Sequence, residues 1–211
     1  MTPVRPAIVF DLDGTLVDSL PDIVASFLAA FDGLGLPRPD ANDVRAQVGK
    51  PLEEMYAAFA PADAVADLAA AYRVHYPRHF RDKSRPFPGV PDLLEELGRR
   101  GFARAVATTK RTEMAKRFVE AMGLAPLLDH VQGTDDIPHK PAPDVVLRAI
   151  AALGARGTWM VGDTVSDVQA GKAAGLRTYA VTWGTHDRDM LARARPDRLE
   201  PDLSRLLAVV D

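Results

Sequence analysis

The chain has 211 residues, 47% of them hydrophobic, which is enough for a sizeable core, either as one large domain or as a core carrying a smaller insertion. Acids and bases are interspersed and leave a net charge of only −3, which argues against nucleic acid as the main partner. The absence of cysteine excludes disulfides, thiolate metal sites and thiol nucleophiles; no apolar run reaches membrane-spanning length, MTPVRPAIVFD meets acids too soon for a signal peptide, and the expected address is cytoplasmic.

In chain order, AIVF at 7–10 predicts a first strand. From about Leu16 to Arg85 no convincing strand appears. Helical patterns at 22–33, 51–60 and 62–76, divided by the proline-rich GLPRPD, predict a helical insertion there, and the prolines of RPFPGVP predict an extended return. Beyond it the pattern alternates, with helices at 90–100, 112–122 and 143–153 and strands at 102–109, 158–163 and 176–183. Gly101, Gly123, Gly154 and Gly175 each stand where a helix-closing glycine is expected. Strands separated by helices imply right-handed crossovers and a parallel sheet covered on both faces, an α/β core. The expected division is a core of residues 1–15 and 86–211 with the insertion at 16–85. No internal repeat is present.

In an open parallel sheet, ligands sit beyond the carboxyl ends of the strands. Asp11 and Asp13 follow the first strand, Thr108 and Thr109 finish the second, and Asp163 ends a later one with Asp167 four residues on. Lys140, in HKPAPD, lies just ahead of a helix. Such a fold gathers carboxylates, a hydroxyl and an ammonium around one point. Clustered carboxylates repel one another and need a cation, and oxygen ligands of this hardness suit Mg²⁺, which takes few protein ligands together with a substrate phosphate. The lysine balances charge and, with the metal, can hold a phosphoryl group. A carboxylate can attack phosphorus, and a neighbour two residues along can pass protons to the leaving group and then activate water. Gly14 suits a tight turn or a close approach of backbone, and Thr15 adds a hydroxyl.

Singly, these residues have plainer explanations. DxDG can be a turn, Thr108 an ordinary strand residue, Lys140 a solvated lysine, and Asp163 with Asp167 a turn and a helix cap. A calcium loop is disfavoured because Gly14 comes too early and no glutamate completes the ligand set. The functional reading rests on their joint occurrence, in order, at strand ends. His75 and His79 have the spacing of helical zinc ligands, but Pro77 lies between them and no HExxH glutamate is present. Trp159 and Trp183 are expected in the core or a pocket wall, and 110–116 as a solvated helix face.

DLDGT at 11–15, the strand-end Thr108, Lys140 in HKPAPD and GDTVSD at 162–167 resemble, in order, the four motifs of the haloacid dehalogenase-like hydrolase superfamily. LVDS, PFPGVPDLLEEL and AGKAAGLRT extend the likeness over essentially the whole chain, which is most similar to the phosphoglycolate phosphatase-like subgroup. The resemblance implies a Rossmann-like core, with the insertion as a helical cap domain. It implies Asp11 as the nucleophile that forms an aspartyl-phosphate and Asp13 as general acid and base. Mg²⁺ would be held by the Asp11 carboxylate, the Asp13 backbone carbonyl and Asp163, with Asp167 acting directly or through water, and Thr108 and Lys140 would bind phosphoryl oxygens. Dehalogenases of the superfamily lack the second acid, so Asp13 favours phosphate chemistry. Thr109 stands where many relatives carry asparagine. Gly49 and Lys50, in QVGKPLEEM, would belong to a cap loop facing the site, where Lys50 could meet a substrate carboxylate or phosphate; Arg45, Arg73 and Arg78 are weaker candidates. The expected substrate-binding set is therefore Gly14, Thr15, Thr109, Gly49 and Lys50, and the expected partner a small phosphorylated metabolite, with phosphoglycolate the leading one by likeness. A phosphosugar mutase of the same superfamily and a catalytically silent phosphometabolite-binding module are the alternatives, and monomer and homodimer stay open.

Overall fold

The structure is a computed structural model that describes residues 4–210; the first three residues of the expected 1–15 segment and Asp211 lie outside the described residues. β1 (Pro6–Phe10) is buried from its second residue on, as its unbroken apolar run requires of a strand covered on both faces. Ile8 and Phe10 enter one hydrophobic core and Val9 the other.

The chain then passes through β2 (Val17–Asp18) into four helices, α1 (Leu20–Gly33), α2 (Ala41–Arg45), α3 (Leu52–Ala57) and α4 (Val65–His79), before β3 (Arg85–Pro86). β2 and β3 pair antiparallel, Val17 with Pro86 and Asp18 with Arg85, so the stretch expected to be free of strands contains a minimal ribbon that ties its exit to its return. Two residues carry no periodicity, which is why the ribbon left no trace in the sequence pattern. Inside the insertion, Phe27 stacks on Tyr56 with centroids 4.0 Å apart, fastening α1 to α3. α4 continues past its expected end at Tyr76, with Pro77 in its last turn.

From there the order is α5 (Val90–Arg99), β4 (Ala103–Ala107), α6 (Thr112–Ala121), β5 (His130–Gln132), α7 (Asp144–Leu153), β6 (Arg156–Gly162), α8 (Val165–Ala173), β7 (Arg177–Val181), α9 (Arg188–Arg193) and β8 (Arg198–Glu200). Gly154, at the end of α7, takes the left-handed conformation that its place predicts. Among the described residues six strands form one parallel sheet in the order β5-β4-β1-β6-β7-β8. α5 and α6 pack on the face that also meets the insertion, and α7 and α8 supply Val145, Val146, Ala149 and Ala170 to the other. The fold is the α/β Rossmann-like core with an inserted helical cap. β1 is central: the chain adds β4 and β5 on one side of it, then crosses back to add β6, β7 and β8 on the other. That reversal opens a crevice at the carboxyl end of β1, between β4 and β6. Among the described residues no helix is long and apolar enough to cross a membrane.

Candidate active site

The residue after β1, Asp11, lies in that crevice. Its N–H donates to the Val161 carbonyl at 2.8 Å, extending the β1–β6 ladder one step, and its side chain is buried. The turn that follows folds back through Gly14 N–H to Val17 carbonyl, at 2.8 Å. Gly14 adopts φ +80°, and a Cβ there would sit 2.4 Å from Asp163 Oδ2, so glycine is the residue that lets this turn close on the acid opposite. Thr15, fully buried, donates its hydroxyl to Asp163 Oδ1 at 2.7 Å, and the Thr185 N–H donates to Asp163 Oδ2 at 2.7 Å. Thr15, expected as a substrate contact, is bonded through this hydroxyl to Asp163.

Lys140 is also buried, and its ammonium donates to Asp11 Oδ1, to Asp167 Oδ1 at 2.6 Å and to the Ala107 carbonyl at 3.0 Å. The other oxygen of Asp167 accepts from the Thr164 N–H and hydroxyl at 2.9 and 2.6 Å, forming a capping box at the start of α8. Asp167 is thus a helix cap and an anchor for Lys140 at once. Oxygens of Asp11, Asp163 and Asp167 lie within 4.8 Å of one another.

Burying three carboxylates around one ammonium leaves excess negative charge where water cannot screen it. Burial pushes the Asp11 carboxyl well above the usual range; Lys140 opposes this, while Asp167, Asp163 and Asp13 reinforce it. Burial, then Asp167, pushes Asp163 up to about 7, against the hydrogen bonds from Thr185 and Thr15. For Lys140, burial alone would lower the pKa, but Asp11 and Asp167 hold it above the usual lysine value. Hard oxygen donors with a deficit of positive charge fit a divalent cation.

Asp13 finds its hydrogen-bond partners outside this cluster. Oδ1 accepts from Ser19 at 2.5 Å and Oδ2 from Lys110 at 2.6 Å. Lys110 corrects the sequence reading of 110–116 as a solvated helix face: it precedes α6, its side chain is only 11% exposed, and its ammonium lies over the rings of Tyr76, at 4.9 Å, and Phe118, at 5.2 Å. The missed signal was position, since Lys110 stands at the same strand end as Thr108 and Thr109. Thr108 is buried and its N–H donates to the Gln132 carbonyl at 3.0 Å, while Thr109 is half-buried and lines the cavity above Asp13.

Gly49 and Lys50 lie in the loop between α2 and α3, on the same cavity. Gly49, at φ +104°, approaches the Thr164 methyl so closely that a Cβ would sit 3.2 Å from it. The Lys50 ammonium bonds the Gln47 side chain at 2.6 Å and is exposed. Arg45 reaches the Gly184 carbonyl at 3.4 Å and Arg73 pairs with Glu53. His75 and His79 stack on each other at 4.2 Å, His75 facing Ser26 and His79 facing Asp82. Trp159 is buried in β6, and Trp183 stacks on Phe87 at 4.3 Å.

The model of the haloacid dehalogenase-like hydrolase family matches residues 8–181. The chain belongs to that family. It is 37% identical to a probable phosphatase, IndB, of Dickeya dadantii, over 96% of this chain and 92% of the relative. It is 33% identical to a pyrophosphatase, PpaX, of Halalkalibacterium halodurans, over 96% of each chain. The crystal structure of a predicted phosphoglycolate phosphatase from Haemophilus somnus matches it at TM-score 0.89 and 26% identity over the whole of both chains. Within the haloacid dehalogenase-like hydrolases the chain falls in the phosphoglycolate phosphatase-like group, and its similar proteins are named as phosphatases.

Proposed function

We propose that the protein is a Mg²⁺-dependent phosphomonoesterase acting on a small phosphorylated metabolite through an aspartyl-phosphate on Asp11. The observation that carries this is the buried group of Asp11, Asp163 and Asp167 around Lys140 at the crevice of the sheet. Asp11 attacks phosphorus, the bond from phosphorus to the leaving oxygen breaks, and Asp13 delivers a proton to that oxygen. Asp13, two residues from the nucleophile on a turn, then takes a proton from water, which attacks the aspartyl-phosphate and returns Asp11 with release of phosphate. Lys140 and Thr108 hold phosphoryl oxygens, and Lys140 offsets part of the negative charge that builds on them. Mg²⁺, held by Asp11, the Asp13 carbonyl and Asp163, would supply the remaining positive charge. Asp167, which orients Lys140 and the start of α8, would join that ligand set directly or through water.

Residues 16–85 form the cap in this reading, opening and closing over the site about the β2–β3 ribbon, with Gly49 and Lys50 on the surface that meets substrate. The decisive experiment is phosphate release from p-nitrophenyl phosphate by the wild type and Asp11→Asn, each with Mg²⁺ and with chelator. Activity that needs both Mg²⁺ and Asp11 supports the reading. Activity unchanged by the substitution means another nucleophile; a sugar phosphate isomerised without phosphate release points to a mutase, and phosphometabolite binding without turnover to a silent module.

A further inference from the structure

Lys110 is a second cation, after Lys140, whose side chain is withdrawn from solvent beside the site. It follows Thr108 and Thr109 at the end of β4, and its backbone is held on both sides. Its N–H donates to the Thr108 hydroxyl at 3.3 Å, and its carbonyl accepts from the Thr134 N–H at 2.9 Å. A Cβ on Gly133 would sit 2.3 Å from that carbonyl, so glycine there lets the chain beyond β5 pass close enough to clamp it. From this fixed base the side chain runs inward until only 11% of it is exposed. The ammonium lies over the rings of Tyr76, from the cap, and Phe118, from the core, which favour a cation and leave its hydrogen bonds to be made elsewhere. Asp13 Oδ2, at 2.6 Å, is the one acceptor it meets among the described residues.

Withdrawing an ion pair from water costs about as much as the pair returns, so stability is a poor reason for this one. What it supplies is direction. Asp13 stands on the turn between β1 and β2, where its carboxylate would otherwise be free to rotate. Lys110, from the loop before α6, holds Oδ2, and Ser19, the residue before α1, holds Oδ1 at 2.5 Å. A carboxylate has about four lone-pair directions, and these two bonds take two of them. An ammonium can only donate, so the arrangement presents Asp13 as an acceptor with its remaining lone pairs set in place. That is the part Asp13 plays in the second half of the reaction. Water attacks phosphorus, the bond from phosphorus to the Asp11 oxygen breaks and its electron pair returns to the carboxylate, and the water proton passes to Asp13. Misplacing a reacting group by about 1 Å can cost about a hundredfold in rate.

We propose that Lys110 is a positioning residue for this hydrolytic half-reaction, holding Asp13 where it takes the proton of the attacking water. The proposal rests on the phosphatase reading. The test follows p-nitrophenyl phosphate through a single turnover, with Mg²⁺ and with enzyme in excess. Nitrophenolate, read by absorbance, reports formation of the aspartyl-phosphate; free phosphate, read with a fluorescent phosphate sensor, reports its hydrolysis. Nitrophenolate leaves without a proton, so the first signal is insensitive to Asp13 and the second is not. Lys110→Met keeps an unbranched chain against the two rings and removes the donor. In that variant nitrophenolate release should stay within about threefold of the wild type, while the lag of phosphate behind it should lengthen about tenfold or more. Should Lys110→Met not fold, Lys110→Gln, which also breaks the ion pair but keeps a polar group, is read in the same way. Nitrophenolate and phosphate slowing together, or a lag no longer than that of the wild type, overturns the proposal and leaves the phosphatase standing. A wild type that releases neither product removes the phosphatase reading itself, and the proposal with it.

Discussion

Stripped of divalent cations, the protein should lose stability as pH rises from the acid range to neutrality, and Asp163 should be a main source of the loss. Burial and Asp167 push its carboxyl from the usual 3.8 up to about 7, while in the unfolded chain it titrates as an ordinary aspartate. Between those values the native state keeps a proton that the unfolded state has released. The contribution is therefore fully present below the unfolded pKa and is lost as pH rises through the folded one. Three units at 1.36 kcal/mol each amount to about 4 kcal/mol, or about 10 °C in Tm for a chain of this size. His75 and His186, both lowered chiefly by burial, act in the opposite sense, because the unfolded chain protonates them more readily. The informative quantity is therefore the difference between the wild type and Asp163→Asn, followed by thermal unfolding in chelator from about pH 5 to about pH 8. The wild type should fall more steeply than the variant. Mg²⁺ at a hundred times its Kd should restore about 2.7 kcal/mol to the wild type at the alkaline end and far less to Asp163→Asn. A wild-type slope no steeper than that of Asp163→Asn would refute the claim that uncompensated carboxylate charge is stored at this site.

Three other perturbations test separate parts of the structure. Asp11→Asn should reduce turnover on the order of 10⁴-fold with the circular dichroism spectrum preserved, since it removes the attacking oxygen and keeps the shape. Gly14→Ala places a Cβ 2.4 Å from Asp163 Oδ2 at a φ of +80°, and should cost about 1–3 kcal/mol in denaturant unfolding while also weakening Mg²⁺ binding by calorimetry. Asp22→Ala addresses the tie between α1 and the approach to β3: this buried carboxylate accepts from the Lys83 N–H, the Ser84 N–H and the Ser84 hydroxyl at 2.8 to 3.1 Å. Its loss strands those donors, so unfolding free energy should drop by about 3 kcal/mol and limited proteolysis near residues 80–86 should speed up.

The core of the sheet was legible because β1, β4, β6 and β7 are central strands, whose near-continuous apolar runs record burial on both faces. β5, HVQ, and β8, RLE, lie at the two edges, are three residues long and only partly buried, and so present no such run. The acids and Lys140 were legible as residue types stationed at strand ends. What they bond was not. Ser19 and Lys110 reach Asp13 from 6 and 97 residues away, and no local pattern encodes the second separation. Lys110 was misread because the charges of 110–116 look like a helix face, whereas the helix begins only at Thr112 and leaves Lys110 in the loop before it.

Specificity was the least legible part, and the reason lies in how the cap is built. The proposed catalytic groups are constrained by the crevice, so their order along the chain follows the order of the strands. The cavity wall instead combines the loop at Val48, α3, α4 and the start of α6, elements held together by core packing such as Phe27 on Tyr56 and Phe80 beside Phe118. A residue such as Tyr76 then has two sides, a ring that belongs to the hydrophobic cluster and a hydroxyl with no partner among the described residues. In the sequence only the first side is visible, because a tyrosine on the buried stripe of a helix looks like any core aromatic. The second appears only when the hydrogen bonds of the folded chain are counted.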